Sequence, residues 1–382
     1  MRIIELFAGI GACSTALKRL GKDIEIVDAL EIDKYAMASF NAVHGTNFET
    51  QDITIWDKDF KDIDLITHGS PCQDFSVAGK QAGGDIGSGT RSSLMYETIR
   101  IVGKLRPKYV LWENVKNILS KKHKHNFDAY IETMKNLGYN SFYEVLNAKD
   151  YGIPQNRERV YTISIRKDIP QSFNFPEKEE LRLRLKDMLE DEVDEKYYLK
   201  DTKVDKIVNS DFMQEKKRIQ EKDVCDTLLA RDYKDPKCVQ VANLSGGKWD
   251  KINESCRRVY SEEGISPTIH TCQGGNTEPK VVQRAPLKFL NRNQKNIEGD
   301  YAFCVDGSNT GGIKETQNNN VRIRKLTPKE CWRLMGFSDG DFEKAQSVPM
   351  SNTQLYKQAG NSICVPVLEK IFKNLFKEAN NE

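Results

Sequence analysis

Short apolar runs alternate with amphipathic stretches along the first half of the chain. Runs typical of buried strands occupy residues 1–6, 24–30, 63–68, 109–112, 139–146 and 159–165, and a further strand is expected just before Gln51. Residues 12–20, 34–44, 93–105 and 126–137 repeat their apolar positions at helical spacing instead, which predicts helices. Strands that alternate with helices in this way predict an α/β fold built on an open sheet.

The apolar run at residues 63–68 is followed by Gly69, Ser70, Pro71 and Cys72. Glycine and proline stop a strand, so Cys72 is expected on the loop at the strand's carboxyl end, where open α/β sheets place their chemistry. A thiol is a good nucleophile only where its surroundings favour the thiolate, and a single cysteine is more often an inert apolar residue. Cys72 is therefore a candidate nucleophile that needs support from other segments.

A glycine-containing turn at residues 7–12 joins the first predicted strand to the first predicted helix. Glycines allow the backbone to approach a ligand, and a helix start presents free N–H groups, so the turn is typical of a nucleotide cradle. A plain tight turn explains the same residues equally well. Glu31, about 20 residues later at the end of the second strand, favours an adenosine-containing cofactor. Asp52 is another candidate for this pocket, although taken alone it fits a turn or helix cap better.

Further acidic and basic residues follow later strands. Glu113 comes directly after the run at residues 109–112, and a carboxylic acid whose pKa is raised by burial can transfer a proton. The alternative is a helix-capping acid. Arg157 and Arg159 stand two apart on an extended segment, so their planar guanidinium groups are expected on one face. Either arginine alone is also compatible with the surface of an edge strand.

Composition limits the possibilities without deciding among them. A chain of 382 residues is long enough for two domains. The net charge of +2 hides 58 basic and 56 acidic residues, so any nucleic-acid site depends on a local basic surface. The nine cysteines form no C-x-x-C pair, which favours reduced thiols and no metal site. No apolar run approaches the length of a membrane span, so a soluble protein is expected.

The second half has a different character. Residues 171–176 indicate an exit from the first domain, and the charged, periodic stretch at residues 181–189 predicts a linker helix. From about residue 209 to 320, glycines, asparagines and basic residues become frequent and helical periodicity falls. Arginine, lysine and amide side chains are the types that read base edges and contact phosphates, so this region is a candidate DNA-recognition surface. A structural insert with an ordinary polar surface is the alternative.

Three motifs in order, Pro71-Cys72-Gln73, Glu113-Asn114-Val115 and residues 155–159 (QNRER), resemble the DNA cytosine-5 methyltransferase family of bacterial or phage type. The resemblance implies a Rossmann-like S-adenosylmethionine-dependent methyltransferase domain with a smaller, mixed, strand-rich target-recognition domain. It implies a catalytic domain at 1–173, a linker helix at 174–200, a recognition domain at 201–337 and a segment at 338–382 that returns to the catalytic domain. The glycine-rich residues 74–93 would be a mobile lid over bound DNA rather than a surface loop without a role.

The resemblance also assigns roles to residues. Cys72 would add to cytosine carbon 6, Glu113 would handle the proton at ring nitrogen 3, Arg159 would hold the cytosine carbonyl, and Arg157 would hold backbone or Glu113. The cofactor-binding residues would be Phe7, Ala8, Gly9, Gly11, Glu31, Ile32, Asp52, Ile53, Pro71, Leu94, Asn361 and Ser362, the last two at the start of the final helix. DNA contacts are expected from Gln73, Ser76, Arg91, Asn114, Arg231, Lys248, Arg257, Arg258 and Gln273.

The implied activity is sequence-specific methylation of carbon 5 of a flipped-out cytosine in duplex DNA, with S-adenosyl-L-methionine as donor and S-adenosyl-L-homocysteine as product. The implied setting is a monomer in the bacterial cytoplasm, of bacterial or phage origin, with a restriction endonuclease as a separate partner. A transfer-RNA cytosine-5 methyltransferase, a non-catalytic DNA-binding regulator and a dinucleotide-dependent oxidoreductase are the alternatives. The oxidoreductase gives no reason for Cys72, Glu113 and Arg159 to occur together.

Overall fold

A computed structural model describes residues 1–71, 91–198, 240–243, 258–261, 266–267, 280–284, 288–290, 296–298 and 321–377. By their contacts these residues divide into two units. The first unit holds the described residues within 1–188, 266–277 and 328–382, and the second holds those within 189–265 and 278–327. Residues 328–337, which were predicted to belong to the recognition domain, group with the first unit. The assignment of a function to each predicted segment stays a prediction.

The first unit contains a six-stranded mixed sheet. Its strands are β1 (Arg2–Leu6), β2 (Glu25–Leu30), β3 (Leu65–His68), β4 (Tyr109–Val115), β5 (Tyr139–Asn147) and β7 (Glu158–Arg166), and β6 (Gln155–Asn156) lies outside this sheet. The strand order is β2-β1-β3-β4-β7-β5, with β7 antiparallel to both of its neighbours and the other pairs parallel. The chain adds β2 on one side of β1 and then β3 on the other side. The carboxyl ends of β1 and β3 therefore border the topological switch point, where such sheets bind ligands.

Eight α-helices of the first unit lie in the described residues. They are α1 (Ala12–Arg19), α2 (Lys34–His44), α3 (Met95–Leu105), α4 (Lys124–Asn136), α5 (Pro328–Arg333), α6 (Asp339–Gln346), α7 (Asn352–Asn361) and α8 (Val365–Leu375). Helix α8 packs against α1, which brings the carboxyl-terminal part of the chain back to the sheet. The apolar core between sheet and helices includes Ile4, Ile66, Val102, Trp112 and Tyr130, each fully buried. Of the helices in the described ranges, none combines the length and apolar character that crossing a bilayer requires.

Most predicted elements are present, but two strand predictions were wrong. The segment before Gln51 has no regular secondary structure, because Asn41 binds it through side-chain hydrogen bonds with Phe48 in place of a strand ladder. The strand that leads to Cys72 is therefore the third along the chain. Glu113 lies inside β4 instead of after it, since backbone pairing with β7 continues to Val115.

Two helix predictions were also wrong. Residues 181–189 form only a short 3₁₀ helix, Leu185–Met188, because those two side chains are buried while Leu183 is 39% exposed. Asn361 and Ser362 were expected to open the last helix. Instead Asn361 is the final residue of α7 and Ser362 is its C-cap, and α8 begins at Val365 with a proline in its first turn.

The second unit is strand-rich, as predicted. A sheet in the order β14-β11-β9-β8 contains β8 (Gln240–Asn243), β9 (Arg258–Ser261), β11 (Lys280–Arg284) and β14 (Val321–Lys325). A separate antiparallel pair joins β12 (Lys288–Leu290) to β13 (Asn296–Glu298). One further short strand, β10 (Ser266–Pro267), belongs to the first unit and pairs with β6 in parallel.

Candidate active site at the carboxyl edge of the sheet

The glycine turn after β1 is held in unusual backbone conformations. The φ angles of Phe7, Gly9 and Gly11 are 52°, 56° and 78°. These values lie in the left-handed region, which is unfavourable for any residue other than glycine. A Cβ placed on Gly9 would have no heavy atom within 4 Å, so this part of the turn borders open space. A Cβ on Gly11 would lie 2.0 Å from His44 Nε2. The turn is thus tight against α2 on one side and open on the other.

Glu31 fixes this turn from the end of β2. Its carboxylate accepts the N–H of Gly9 at 3.0 Å and the N–H of Asp33 at 2.8 Å, while its backbone carbonyl accepts the N–H of Gln51 at 3.0 Å. Burial raises the pKa of Glu31 above its ordinary value. The neighbouring Ile32 is 72% exposed, an unusual position for a large apolar side chain and one available to a flat apolar ligand. Glu31 therefore joins the turn after β1 to the segment that carries Asp52.

Asp52 and Ile53 lie in a turn. Asp52 is exposed and accepts hydrogen bonds from the backbone N–H and the hydroxyl of Thr54, at 2.9 and 2.8 Å, so its contacts within the protein are those of a turn residue. Ile53 is buried. Arg100 of α3 donates to the backbone carbonyls of Ile53 and Trp56 at 2.8 and 2.9 Å, which fixes this turn against the core. Leu94, just before α3, is partly buried against the same core.

The chain leaves β3 through Gly69, Ser70 and Pro71, the last described residues before Cys72. A Cβ on Gly69 would lie 3.7 Å from Glu113 Oε2 and 3.6 Å from Ile363 Cδ1, so the start of the Cys72 segment passes directly beside Glu113. Ser70 is buried and its hydroxyl accepts a 3.0 Å hydrogen bond from Trp112 Nε1. The structure gives Asn114 another role than the predicted DNA contact: it is 1% exposed and donates to the Ser70 carbonyl at 3.4 Å.

Glu113 and Arg159 face each other across β4 and β7. The distance from Arg159 Nε to Glu113 Oε1 is 3.1 Å, and the two side chains are 15% and 12% exposed respectively. Burial raises the pKa of Glu113, while Arg159 and Arg157 oppose that rise through their positive charges. The prediction left open whether Arg157 holds Glu113 or backbone. The structure pairs Glu113 with Arg159. If Arg159 also holds the cytosine carbonyl, it must bind that carbonyl while it stays in contact with Glu113.

Arg157 holds backbone carbonyls. Its Nη2 donates to the carbonyls of Gly360 and Ser362 at 3.1 and 2.8 Å, and it is 4% exposed. Burial lowers its pKa to about 10, still well above neutrality. Because β6 and β7 are separated at this residue, the two arginines do not continue one regular strand as the spacing suggested. Arg157 instead satisfies carbonyls at the end of α7 and fixes exposed Asn361 and buried Ser362 beside the sheet edge.

Several predicted site residues lie outside the described part of the chain, and their roles stay predictions. These are Cys72, Gln73, Ser76, Arg231, Lys248, Arg257 and Gln273, together with the side chains of Arg91 and Arg258, for which only the backbone is described. Among the described residues, no group of three or more histidine, cysteine or acidic side chains is placed to hold a metal ion.

Sequence reasoning missed Glu5, which lies in β1 and is 3% exposed. Its carboxylate accepts the N–H of Ser14 at 2.9 Å and also the Ser14 hydroxyl, in the first turn of α1. Gly11, the N-cap of α1, has no side chain to cap the helix, so Glu5 caps it from the adjacent strand. Burial raises the pKa of Glu5 to about 7. An acidic residue inside an otherwise apolar strand was the signal that could have identified it.

Comparisons with known proteins identify the family of this chain. A family model described as C-5 cytosine-specific DNA methylase matches residues 1–377. The chain is 36% identical to the orphan methyltransferase M.SPBetaI of Bacillus phage SPbeta, covering 98% of this chain and 97% of that protein. It is 33% identical to the type II methyltransferase M.HhaI of Haemophilus parahaemolyticus, covering 100% of this chain and 95% of that protein.

Solved structures of methyltransferases share the fold. The Entamoeba histolytica methyltransferase EhMeth superposes with a TM-score of 0.63 at 16% identity, over 98% of each chain. A putative DNA modification methyltransferase encoded within an Escherichia coli prophage has a TM-score of 0.58 at 21% identity, over 98% of each chain. The predicted fold class is confirmed. DNA methylation is confirmed over the regulator and transfer-RNA alternatives. The chain belongs to the C-5 cytosine-specific DNA methylase family and is a DNA cytosine-5 methyltransferase.

Proposed function

We propose that the protein binds S-adenosyl-L-methionine at the turn after β1 and uses Cys72 to methylate a flipped-out cytosine in duplex DNA. The observation that carries this proposal is the convergence of three features at one sheet edge. The open turn around Gly9, the start of the Cys72 segment at Gly69 and the Glu113–Arg159 pair all follow or border the carboxyl ends of β1, β3 and β4.

The residues around Gly9 fit the cofactor. The open side of the turn offers backbone to a ligand, and Glu31 offers carboxylate oxygens that suit ribose hydroxyls. Ile32 presents an exposed apolar surface suited to an adenine ring, and Asp52 has an exposed carboxylate suited to its amino group. Phe7, Ala8, Gly11, Ile53, Pro71, Leu94, Asn361 and Ser362 complete the proposed binding set. When bound, the cofactor supplies an activated methyl group on a sulfonium centre.

Cys72 begins the chemistry on the base. Its thiolate forms a bond to carbon 6 of cytosine, and the electrons of the 5,6 double bond make carbon 5 a nucleophile that accepts the methyl group. Water then takes the carbon 5 proton, the electrons of that C–H bond re-form the 5,6 double bond, and the carbon–sulfur bond breaks to release the Cys72 thiolate. The proton held at ring nitrogen 3 returns to Glu113. Positive charge near the thiol favours the reactive thiolate, and Arg159 is the arginine beside Glu113 at this edge.

Glu113 manages the proton at ring nitrogen 3. A carboxylic acid with a raised pKa can donate to that nitrogen as negative charge develops during thiolate addition. Arg159 steadies the acid in the free enzyme and offers its remaining N–H groups to the cytosine carbonyl. Arg157 does not act on the base directly; it holds the backbone carbonyls of Gly360 and Ser362 in place.

The base must leave the duplex for this chemistry, at a cost of a few kcal/mol that protein–DNA contacts have to offset. We propose that residues 74–93 close over the DNA, with Gln73, Ser76 and Arg91 among its contacts. Residues 201–337 would form the recognition domain and read the target sequence through Arg231, Lys248, Arg257, Arg258 and Gln273. We further propose a monomer that acts on DNA in the bacterial cytoplasm, with any cognate restriction endonuclease acting separately.

Methyl transfer to duplex DNA and to transfer RNA, followed by bisulfite sequencing of the DNA product, tests this function directly. We expect modification of one cytosine within a short sequence and no comparable transfer to RNA. The variant Cys72→Ser should bind S-adenosyl-L-methionine with unchanged affinity in calorimetry and transfer no methyl group. Wild-type turnover by Cys72→Ser, or transfer to RNA alone, would contradict the proposal.

A further inference from the structure

Ser70 forms a buried contact between the Cys72 segment and β4. It is 3% exposed, and its hydroxyl accepts a hydrogen bond from Trp112 Nε1 at 3.0 Å. The same residue accepts the side-chain amide of Asn114 at its carbonyl and its hydroxyl, both at 3.4 Å. Two neighbours of Glu113 in sequence therefore bind the residue that stands two positions before Cys72.

Trp112 is itself held on several sides. Its ring is stacked on His68 with centroids 5.7 Å apart and planes at 6°, and on Phe127 at 5.7 Å and 19°. The ring of Tyr130 lies 4.1 Å away, and the tryptophan side chain is fully buried. An indole N–H fixed by three rings is a donor with a defined direction. A phenylalanine at this position would preserve most of the packing and remove the donor.

Proline at position 71 transmits the position of Ser70 to the nucleophile. Its ring fixes φ, so few backbone rotations separate the anchored Ser70 from Cys72. The acid, Glu113, is the residue between Trp112 and Asn114 on β4. A displacement of Ser70 therefore changes the position of the thiol relative to the acid, and misplacement of a reacting group by about 1 Å can cost about 100-fold in rate.

We propose that Ser70 and Trp112 are a positioning pair that sets the location of Cys72 relative to Glu113. Neither residue contacts the reacting atoms in this assignment. The inference rests on the proposed role of Cys72. It goes further by naming the hydrogen bond on which the geometry of thiol addition depends.

The test uses the full-length enzyme with Ser70→Ala, Trp112→Phe and the double variant. Tyr130→Phe is the matched control, because it keeps the ring beside Trp112 and removes the 3.1 Å hydrogen bond between Tyr130 and His68, without touching Ser70. For each protein we would measure Tm, cofactor Kd, kcat, KM for duplex DNA, and the rate of covalent attachment to duplex DNA that carries 5-fluorocytosine at the target. Assays are run below every Tm.

Each single variant should lower kcat and the attachment rate by about 10- to 100-fold, while cofactor Kd changes by less than about twofold. The double variant should lose little more than the worse single variant, since the two changes remove one interaction. Tyr130→Phe should keep kcat within about threefold of wild type, because it leaves the Ser70 contact intact. Near-wild-type kcat in both single variants, or independent losses that multiply in the double variant, would overturn the inference.

A purely structural role is distinguished by cofactor Kd. If Ser70→Ala and Trp112→Phe weaken cofactor binding as much as they lower kcat, the pair supports the whole unit and the inference fails. If the wild-type enzyme methylates DNA but forms no covalent attachment, the proposed role of Cys72 fails. In that case the inference fails with it. The inference fails alone when the wild-type enzyme becomes attached and both single variants become attached at the wild-type rate.

Discussion

Replacing the buried Glu5 by glutamine should change how stability depends on pH. Glu5 is 3% exposed, and burial raises its pKa from the ordinary value of 4.5 to about 7. In the unfolded chain the pKa of the Glu5 carboxyl returns to its ordinary value of 4.5. Between these two values the folded protein binds a proton that the unfolded chain has released, so stability falls as pH rises from 4.5 to about 7.

The magnitude follows from the same shift. The difference between 4.5 and about 7 corresponds to roughly 3 kcal/mol of unfolding free energy. Glutamine keeps an oxygen that accepts the N–H and hydroxyl of Ser14, yet it carries no charge at any pH. The stability of Glu5→Gln relative to wild type should therefore rise by roughly 3 kcal/mol between about pH 4.5 and 7.5, and stay constant above that.

Urea unfolding followed by tryptophan fluorescence at a series of pH values measures this difference. The same substitution at exposed Glu49 provides the background, because that side chain has no burial to reverse. The difference between Glu5→Gln and wild type must change with pH, since costs of the amide group itself do not depend on pH. A difference that stays flat from pH 4.5 to 7.5, or that falls as pH rises, would refute the reasoning.

Three other predictions concern the site. Gly11→Ala should destabilise the protein by roughly 3 kcal/mol or more, because the new Cβ would clash with His44 and φ is left-handed. Gly9→Ala should cost about 1 kcal/mol of stability but weaken cofactor binding, because its Cβ would enter the open side of the turn. Thermal unfolding measures the first effect and calorimetry the second. Glu113→Gln should lower kcat about 10²- to 10⁴-fold. The wild-type rate should fall as pH rises through the raised pKa of Glu113, because the acid loses the proton that it donates. If the variant kept the pH–rate profile of the wild type, that result would contradict this role. Arg157→Lys should lose about 1–3 kcal/mol of stability, measured by denaturant unfolding, because lysine lacks the planar group that holds two carbonyls, and full stability would argue against that role.

The alternation of strands and helices was readable from the sequence because each element buries a periodic apolar face. Helix α2 begins and ends at the predicted residues, where Asp33 caps its start and Gly45 its end. The errors occurred where local pattern and tertiary contacts disagree. Residues 181–189 repeat leucines near helical spacing, but they lack a partner surface for the full length and form one short turn.

The site was predictable in its residue types more than in its contacts. Glu31, Glu113 and Arg159 lie at the edge of the sheet where the motifs predicted them. Sequence spacing could not reveal that Arg159 pairs with Glu113 while Arg157 turns to the end of α7, because a break between β6 and β7 interrupts the alternation of side chains. Contacts between residues far apart in sequence carry no local signal.

Covalent attachment of the enzyme to DNA tests the central claim most directly. Duplex DNA with 5-fluorocytosine at the target base, incubated with enzyme and S-adenosyl-L-methionine, should form a one-to-one covalent complex, since fluorine at carbon 5 cannot leave as a proton does. Mass spectrometry of the digested complex should place the attachment at Cys72, and Cys72→Ser should form none. Absence of the complex with DNA that the enzyme methylates, or attachment at a different residue, would contradict the account.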